Sequence, residues 1–284
     1  MKALWLSVLT LRESVLKGTL LFFFIVSNLI LLFFVIALGV TEEGGTTSLT
    51  LFGSIISPRG IEGFNAVQFI LRQLFAGSTF WVLLFGLFAT AGLIPSMLEK
   101  GTVELYLSKP LSRTSLLFSR AAGACAGIIF NLLYFAIAIW LIFGIKAGAW
   151  EGGFLLAAIS TVPMFFFYYS VVAVTALMTN STGFSIMFAL IYYFFSGALA
   201  AREQVLYIWW DNPVFHRLLD VLYYATPQIS PMIESATELI GPDFMRSRGM
   251  ESAGGFDPLP FVWSLLSSSL LYAFAAWYFS RKDY

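Results

Sequence analysis

The sequence contains very few of the residues that build metal sites, disulfides or a charged surface. Among its 284 residues there is one cysteine, Cys125, and one histidine, His216, and only 11% of the residues are charged. A single cysteine excludes a disulfide within the chain and a thiolate metal cluster, and a single histidine excludes a histidine-rich metal site. Because soluble domains are usually about one quarter charged, we expect neither a soluble enzyme nor a disordered chain.

Two further absences narrow the possible functions. Sixteen Lys and Arg residues balance sixteen Asp and Glu residues, so the chain has no overall basic field that would attract nucleic acid. The dipeptide Gly-Lys does not occur, and a P-loop, which needs that pair to bind nucleotide phosphates, is therefore missing. The chain is predicted to bind no nucleic acid and to hold no ATP through that motif.

Hydrophobic residues are abundant, since they make up 59% of the chain, and the mean hydropathy is +0.84. A spanning helix needs about 20 mostly apolar residues, because each adds about 1.5 Å against a hydrocarbon core of about 30 Å. Six segments meet this requirement, which predicts an all-α, polytopic membrane protein with a single transmembrane domain over residues 1–284. The predicted spans are residues 19–40, 78–98, 121–145, 154–178, 183–201 and 260–279.

The distribution of Lys and Arg predicts how these spans are oriented. If the N-terminus lies inside, nine basic residues fall in the inside segments and seven in the outside segments, although the outside segments are about twice as long. Since cytoplasmic loops carry the excess of basic residues, both termini are predicted to be cytoplasmic. The expected location is the cell inner membrane.

Three segments outside the spans have features of their own. Residues 1–17 are predicted to form an amphipathic helix that lies in the membrane interface. Its apolar stripe is Leu4, Val8, Leu11 and Val15, and its opposite stripe is Ser7, Thr10, Ser14 and Lys17. Residues 41–74 are predicted to be the first outside loop. Residues 202–258 form the largest outside loop, whose Trp and Tyr residues are typical of a lid on the outer membrane surface.

The predicted spans contain no Asp, Glu, Lys, Arg or His. Such groups at membrane depth mark proton relays, ion pathways or catalytic sites, so no catalytic residue and no metal ligand is predicted. Asn28 and Asn131 are the more notable polar residues within the spans, and they are expected either to form interhelical hydrogen bonds or to contact a substrate. Gly123 and Gly127 have the spacing of a close helix-packing motif.

The segment 99–120, between the second and third spans, is the most informative part of the chain. Gly101 can end the incoming helix, Thr102 can cap a new one, and Pro110 would stop it. The pattern predicts a short cytoplasmic amphipathic helix between two turns, which could dock in a groove of another protein. An ordinary connecting loop is the alternative.

This segment resembles the cytoplasmic signature of ABC-2-type transporter permeases. The residues that carry the resemblance are Glu99, Gly101, Thr102, Glu104, Leu105, Leu107, Ser108, Lys109, Pro110, Ser112 and Arg113. Tyr106 departs from the leucine that the family often has at this position. The resemblance implies that the short helix is a coupling helix, which docks on a separate cytoplasmic ABC ATPase and carries nucleotide-driven motion into the membrane.

The resemblance also implies the roles of single residues and the partners. Residues Thr102, Glu104, Leu105 and Ser108 would lie on or near the ATPase contact, and Pro110 and Arg113 would fix the return into the third span. Residues 1–17 would form the connecting helix of the family. Two permeases, either two copies of this chain or one copy and a homologue, would assemble on an ATPase dimer, and that dimer rather than this chain would bind ATP and Mg²⁺.

The expected function is therefore that of a permease subunit, without enzymatic activity of its own, that exports an amphiphilic or hydrophobic molecule. One alternative is an ATPase-coupled membrane scaffold that transmits a conformational change to an extracytoplasmic protein through residues 202–258. A second alternative, an integral membrane enzyme, would need its acidic residues and histidine to cluster around a metal. Those residues are Asp211, His216, Asp220 and Glu234.

Overall fold

The computed structural model describes residues 2–16, 18–43, 46–56, 63–98, 112–209, 212–241 and 255–281. Helices make up most of these residues, with three short strands near the beginning of the chain. In chain order the elements are α1 (Lys2–Leu16), α2 (Thr19–Ala37), β1 (Leu38–Glu43), β2 (Thr46–Leu51), β3 (Ser54–Ile55), α3 (Gly63–Thr90), α4 (Leu93–Met97), α5 (Arg113–Ala147), α6 (Gly152–Thr179), α7 (Thr182–Ala200), a π-helical turn (Arg202–Leu206), α8 (Tyr207–Trp209), α9 (Pro213–Ala225), α10 (Ile229–Thr237) and α11 (Leu259–Arg281).

Six of these helical segments are long and apolar enough to cross a membrane, which confirms the predicted helical, multi-pass architecture. They are α2, α3 together with α4, α5, α6, α7 and α11. Side chains of the sequence set several of their ends. Ser112 and Ser181 accept a hydrogen bond from a backbone N–H in the first turn of α5 and α7, and Asn180 ends α6 in the left-handed conformation. Since only Asn180 and Ser181 join α6 to α7, these two helices run antiparallel.

The second span differs from the prediction at both of its ends. Its helix begins at Gly63 rather than near residue 78, because Gln68 and Arg72 are accommodated by polar partners although they lower the local hydropathy. The helix is interrupted between Thr90 and Leu93. In a continuous helix the ring of Pro95 would clash with the carbonyl group of Ala91, four residues earlier.

Strands β1, β2 and β3 form a small antiparallel sheet where the sequence predicted the end of the first span, up to residue 40, and the beginning of a loop from residue 41. Strand β1 pairs with β2, which also pairs with β3, and the register places Leu38 opposite Leu51. Thr residues and alternating apolar residues favour extended backbone here. The sheet lies beside α3 and α5 at one end of the bundle. We call this end of the bundle the hairpin end, and the opposite end, where α1 lies, the α1 end.

The core is built around α5 and α6. Helix α6 contacts α3, α5, α7, α10 and α11, while α5 contacts α1, α2, α3 and α11. Buried tyrosines link these helices through hydrogen bonds to main-chain carbonyls, as Tyr168 donates to Ala189 at 2.7 Å and Tyr272 donates to Phe166 at 3.0 Å. Such bonds satisfy hydroxyl groups that would otherwise lie unpaired in an apolar interior.

Helix α1 packs along α5 through the small residues of both helices. A Cβ atom placed on Gly123 would lie 2.6 Å from the carbonyl oxygen of Ser7 and 2.7 Å from Cβ of Thr10. A Cβ on Gly127 would lie 2.6 Å from Leu20. The predicted packing role of these two glycines is confirmed, and the helix that requires Gly123 is α1.

The small polar stripe of α1 faces the protein rather than solvent. Thr10 and Ser14 are fully buried against α5, whereas Val8 and Val15 are 56% and 45% exposed. Each buried hydroxyl donates to a carbonyl of its own helix, four residues earlier. Because these hydroxyls need no external partner, Thr10 and Ser14 can pack on an apolar bundle, and Val8 and Val15 are left on the outer face of α1.

The segment after α7 is not only a lid on the surface, as the sequence predicted. Helix α10 is inserted among α3, α6, α7 and α11, and Ile229, Met232 and Ala236 are fully buried. The backbone N–H groups of Gln228 and Ile229 donate to the hydroxyls of Ser264 and Ser196 at 2.8 and 3.1 Å. Helix α9 remains outside, with a largely exposed apolar face.

Replacing Gly123 by alanine tests the packing of α1. We expect Gly123→Ala to lower the free energy of unfolding by about 1–3 kcal/mol, because the added methyl group overlaps a backbone oxygen that cannot move freely. The matched control is Gly183→Ala in α7, where a Cβ meets nothing within 4 Å and alanine favours the helix. Thermal unfolding in detergent measures both. Equal behaviour of the two variants would contradict the packing.

Candidate functional site

Most of the residues singled out by the sequence lie outside the described part of the chain. They are Glu99, Gly101, Thr102, Glu104, Leu105, Ser108, Lys109 and Pro110. The structure describes both flanks of this segment, up to Leu98 and again from Ser112. The arrangement of these flanks shows to which helices the segment is attached.

Arg113 ties the beginning of α5 to the end of α11. Its guanidinium donates to the carbonyl oxygens of Phe279 and Ser280 at 3.2 and 3.4 Å. The last carbonyls of a helix have no partner within that helix and carry partial negative charge, so an arginine is a favourable partner there. The first residue of α5, directly after the signature segment, is thus bound to the end of the last span.

A buried ion pair joins the same flank to α1. Arg120 of α5 is only 1% exposed, and its guanidinium pairs with the carboxylate of Glu13 in α1. The other carboxylate oxygen of Glu13 accepts a hydrogen bond from Ser96 of α4 at 3.5 Å. One acidic side chain therefore holds α1, the end of the second span and the beginning of the third together, on both sides of the signature segment.

The sequence analysis missed this pair. The sequence pattern predicts that Arg120 ends a cytoplasmic segment and that Glu13 belongs to an interfacial helix, and neither prediction brings the two residues together. One feature of the sequence could have predicted the pair. The two opposite charges lie at the edges of apolar stretches and on the same predicted side of the membrane. Charges in such positions are rarely buried unless they are paired.

Two polar contacts organise the hairpin end. Gln68 of α3 donates to the Glu151 carboxylate at 2.6 Å, and that carboxylate also caps α6. Arg72 pairs with Glu238 and donates to the carbonyl of Thr237 at 3.1 Å. The first contact joins α3 to the beginning of α6, and the Arg72 contacts join α3 to the C-terminal end of the inserted helix α10.

A second cluster at the hairpin end surrounds Arg202. Its guanidinium donates to Asp220 at 2.8 Å and lies 3.8 Å from the ring centre of Tyr223. Tyr207 donates to Asp220 at 2.7 Å and stacks on His216. The hydrogen bonds from Tyr207 and then from Arg202 lower the pKa of Asp220 below its usual value.

This cluster does not have the composition of a metal centre. Among the residues that the structure describes, no three His, Cys, Asp or Glu side chains form a group that could hold a metal ion. Asp211, one of the four residues considered for such a site, lies outside that part of the chain. The hydroxyl of Tyr207 contacts both the main-chain carbonyl of His216 and the carboxylate of Asp220. Burial raises the pKa of the fourth residue, Glu234.

A cavity of about 510 Å³ lies between α2, α3, α5 and the beginning of α6. Most of its wall is aromatic or aliphatic, and its few polar groups come from side chains of α2, α3 and α5. The polar residues of the wall are Ser27, Gln73, Ser78 and Asn131. The cavity lies beside the middle of the spans, and its exposed lining residues, such as Ile30 and Trp81, are on α2 and α3, so it opens between these two helices.

The two asparagines that the sequence singled out have different environments. Asn28 accepts a hydrogen bond from Tyr134 at 2.7 Å and donates to the carbonyl of Phe24, so it forms an interhelical bond. Asn131 lines the cavity and donates to Ser27 at 3.0 Å, but its side-chain oxygen is buried without a hydrogen-bond partner. Of the two, only Asn131 offers an unused polar atom inside the bundle.

A comparison of the sequence with protein-family models finds no match, and a comparison with curated proteins finds none either. The fold and the site define a class, namely a helical multi-pass membrane protein whose α1 end is held by a buried ion pair and whose spans enclose a mainly apolar cavity. Any function narrower than this class is a proposal.

Removing the charge of Glu13 tests the ion pair at the α1 end. We expect Glu13→Gln to lower the free energy of unfolding by about 3 kcal/mol, because the buried charge of Arg120 loses its ion pair with the Glu13 carboxylate. Adding Arg120→Met removes that charge and should restore most of the loss. Glu203→Gln, a neutralisation at an exposed position, is the control and should cost less than about 0.5 kcal/mol. A double variant as unstable as Glu13→Gln would contradict the pairing.

The Asp220 cluster should make stability depend on pH in a defined direction. Since the native pKa of Asp220 is lowered, its stabilising effect is complete above the unfolded pKa of about 3.9 and is lost as the pH falls through the native pKa. Thermal unfolding of the wild type and Asp220→Asn from pH 7 to pH 3 measures this. The wild type should unfold at the higher temperature near pH 7, and the difference should shrink only below about pH 4. A constant difference would contradict the assignment.

Proposed function

We propose that this chain is the permease subunit of an ABC-2-type ABC transporter, which exports an amphiphilic or hydrophobic molecule with ATP hydrolysed by a separate subunit. The observation that carries the proposal is the signature segment at residues 99–113 together with its anchored flanks. Contacts of Glu13, Arg113 and Arg120 hold these flanks to α1, α4 and α11. A segment held on both sides can pass a force to the helices that hold it.

The length of α5 supports a mechanical role. It has 35 residues, which at about 1.5 Å per residue gives a helix of about 50 Å. The helix begins directly after the signature segment, runs past the cavity and ends at the hairpin end. A displacement at Arg113 would therefore move the cavity wall at Asn131 as part of the same rigid element.

The proposed cycle uses this connection. ATP binding closes the ATPase dimer, which binds ATP and Mg²⁺ in place of this chain, and the closing ATPase pushes the coupling helix. The push shifts α5 together with α1, and two permeases rearrange at their interface. In this proposal the α1 end faces the cytoplasm, both termini lie on the cytoplasmic side of the cell inner membrane, and the exposed Val8 and Val15 of α1 lie in the membrane interface.

A second candidate function is force transmission without transport. Helix α9 leaves Val214, Leu218 and Val221 exposed on one face at the hairpin end, and these residues could bind an extracytoplasmic protein. Saturable stimulation of the ATPase activity by small amphiphiles would favour transport. Stimulation only by a protein partner would favour the scaffold.

Reversing the charge of Glu104 tests the proposed function. We expect the wild type to co-purify with an ABC ATPase encoded beside it, and Glu104→Lys to lose that subunit, because the charge would face the docking groove. Glu203→Lys makes the same charge reversal at an exposed position of the hairpin end and serves as the control. Subunit stoichiometry after affinity purification in mild detergent is the measurement.

Thermal unfolding of the same preparations shows whether the variants are folded. Selective loss of the ATPase from a folded Glu104→Lys protein supports the coupling role. If the wild type captures no ATPase, or if both charge reversals behave alike, the ABC assignment is wrong.

A further inference from the structure

We propose that the cavity between α2, α3 and α5 binds an uncharged amphiphile, an apolar molecule with one hydroxyl or amide N–H donor, which enters from the membrane. The cavity volume of about 510 Å³ lies within the range of about 300–1,000 Å³ that is typical of small-molecule sites. Its aromatic wall is formed by Phe23, Phe34, Trp81, Phe85, Phe135 and Phe154. Such walls provide the apolar contact area, and the polar groups provide the orientation.

The wall determines the charge of the ligand. None of the residues that line the cavity is Asp, Glu, Lys, Arg or His. A charged ligand in an apolar cavity at membrane depth would lose its hydration without gaining a counter-ion. The site is therefore suited to a neutral molecule.

Asn131 determines where the polar group of the ligand lies. The hydroxyl of Ser27 donates to the carbonyl of Phe23 at 3.0 Å, so it can only accept from the Asn131 amide nitrogen. This orients the amide and leaves its oxygen as a free acceptor, in a residue that is 3% exposed. The oxygen itself is covered by its neighbours, so a ligand hydroxyl or N–H would reach it with a small shift of the cavity wall. Because a buried acceptor without a donor is unfavourable, that hydrogen bond would remove the penalty.

The route into the cavity runs through the membrane. Asn131 and Ser27 lie near the middle of the apolar parts of α5 and α2, far from either end. The opening lies between α2 and α3, beside Ile30 and Trp81, which are 38% and 54% exposed on the outward surface of the spans. A molecule dissolved in the bilayer would reach the opening without crossing water.

An acyl chain of a bilayer lipid is the main competing occupant. It would fill the apolar part of the cavity, but it carries no donor for the Asn131 oxygen. The two occupants therefore differ in one measurable property, the preference for a ligand that has a hydrogen-bond donor. Binding is a property of this chain alone, and only its role as the export substrate rests on the proposed function.

Photo-crosslinking of the full chain in phosphatidylcholine vesicles tests the site. The probe is a long-chain fatty alcohol that carries a diazirine, and the competitors are the unlabelled alcohol and its methyl ether. We expect cross-links in cavity-lining peptides of α2, α3 and α5, with the alcohol competing about five- to tenfold better than the ether. Mass spectrometry of the labelled peptides gives both readings.

Two variants separate the hydrogen bond from the cavity. Asn131→Leu removes the acceptor at similar volume and should abolish the preference for the alcohol over the ether. Gly77→Leu places a side chain in open space at the mouth and should lower labelling by alcohol and ether probes alike, about tenfold. Gly183→Leu, on α7 and away from the cavity, also enters open space and should leave labelling unchanged.

The outcomes distinguish this proposal from the proposed function. Equal competition by alcohol and ether, or labelling that Gly77→Leu does not reduce, would overturn the amphiphile site. If Asn131→Leu fails to fold, the competition series on the wild type and the Gly77→Leu comparison still decide. Specific labelling without ATPase capture supports the site and leaves the ABC assignment wrong, whereas ATPase capture without specific labelling overturns the site alone.

Discussion

A chain with six helices that are long and apolar enough to cross the hydrocarbon core must satisfy its polar groups within itself, because lipid offers no hydrogen-bond partner. The structure satisfies polar groups in three ways, by hydrogen bonds within a helix, by hydrogen bonds between helices and by an ion pair. Thr10 and Ser14 bond to their own helix, which lets α1 pack its polar stripe on α5. Tyr168 and Tyr272 bond to carbonyls of neighbouring helices, and Arg120 bonds to Glu13. The arrangement of the helices follows from where these partners can be found.

Because of this constraint, a buried polar atom without a hydrogen-bond partner is a candidate for contact with a ligand. The oxygen of Asn131 has no hydrogen-bond partner, and Asn131 lies in the wall of the mainly apolar cavity between α2, α3 and α5. Helix α5 connects this atom to Arg113 and Arg120 at the α1 end. Motion at the signature segment and binding in the cavity would thus act on one element.

The six helices could be predicted because hydrophobic length is a property of consecutive residues. The beginning of α3 could not be predicted in this way, since Gln68 and Arg72 reduce the local hydropathy and their partners, Glu151 and Glu238, are distant in the sequence. The insertion of α10 was missed for a related reason. Its hydrophobic residues are too few to span, and whether such a helix lies on a membrane or inside a bundle depends on the space between other helices.

The sequence by itself determined the helical, membrane-type class of the protein and the number of helices long enough to span a bilayer, because these depend on composition and on short local patterns. Only the tertiary structure decided that Asn28 is used in packing while Asn131 is not, and that Glu13 is the counter-ion of Arg120. Both asparagines have the same chemistry and similar surroundings in the sequence. Their difference arises from the helix that faces each of them, and that neighbour is set by packing.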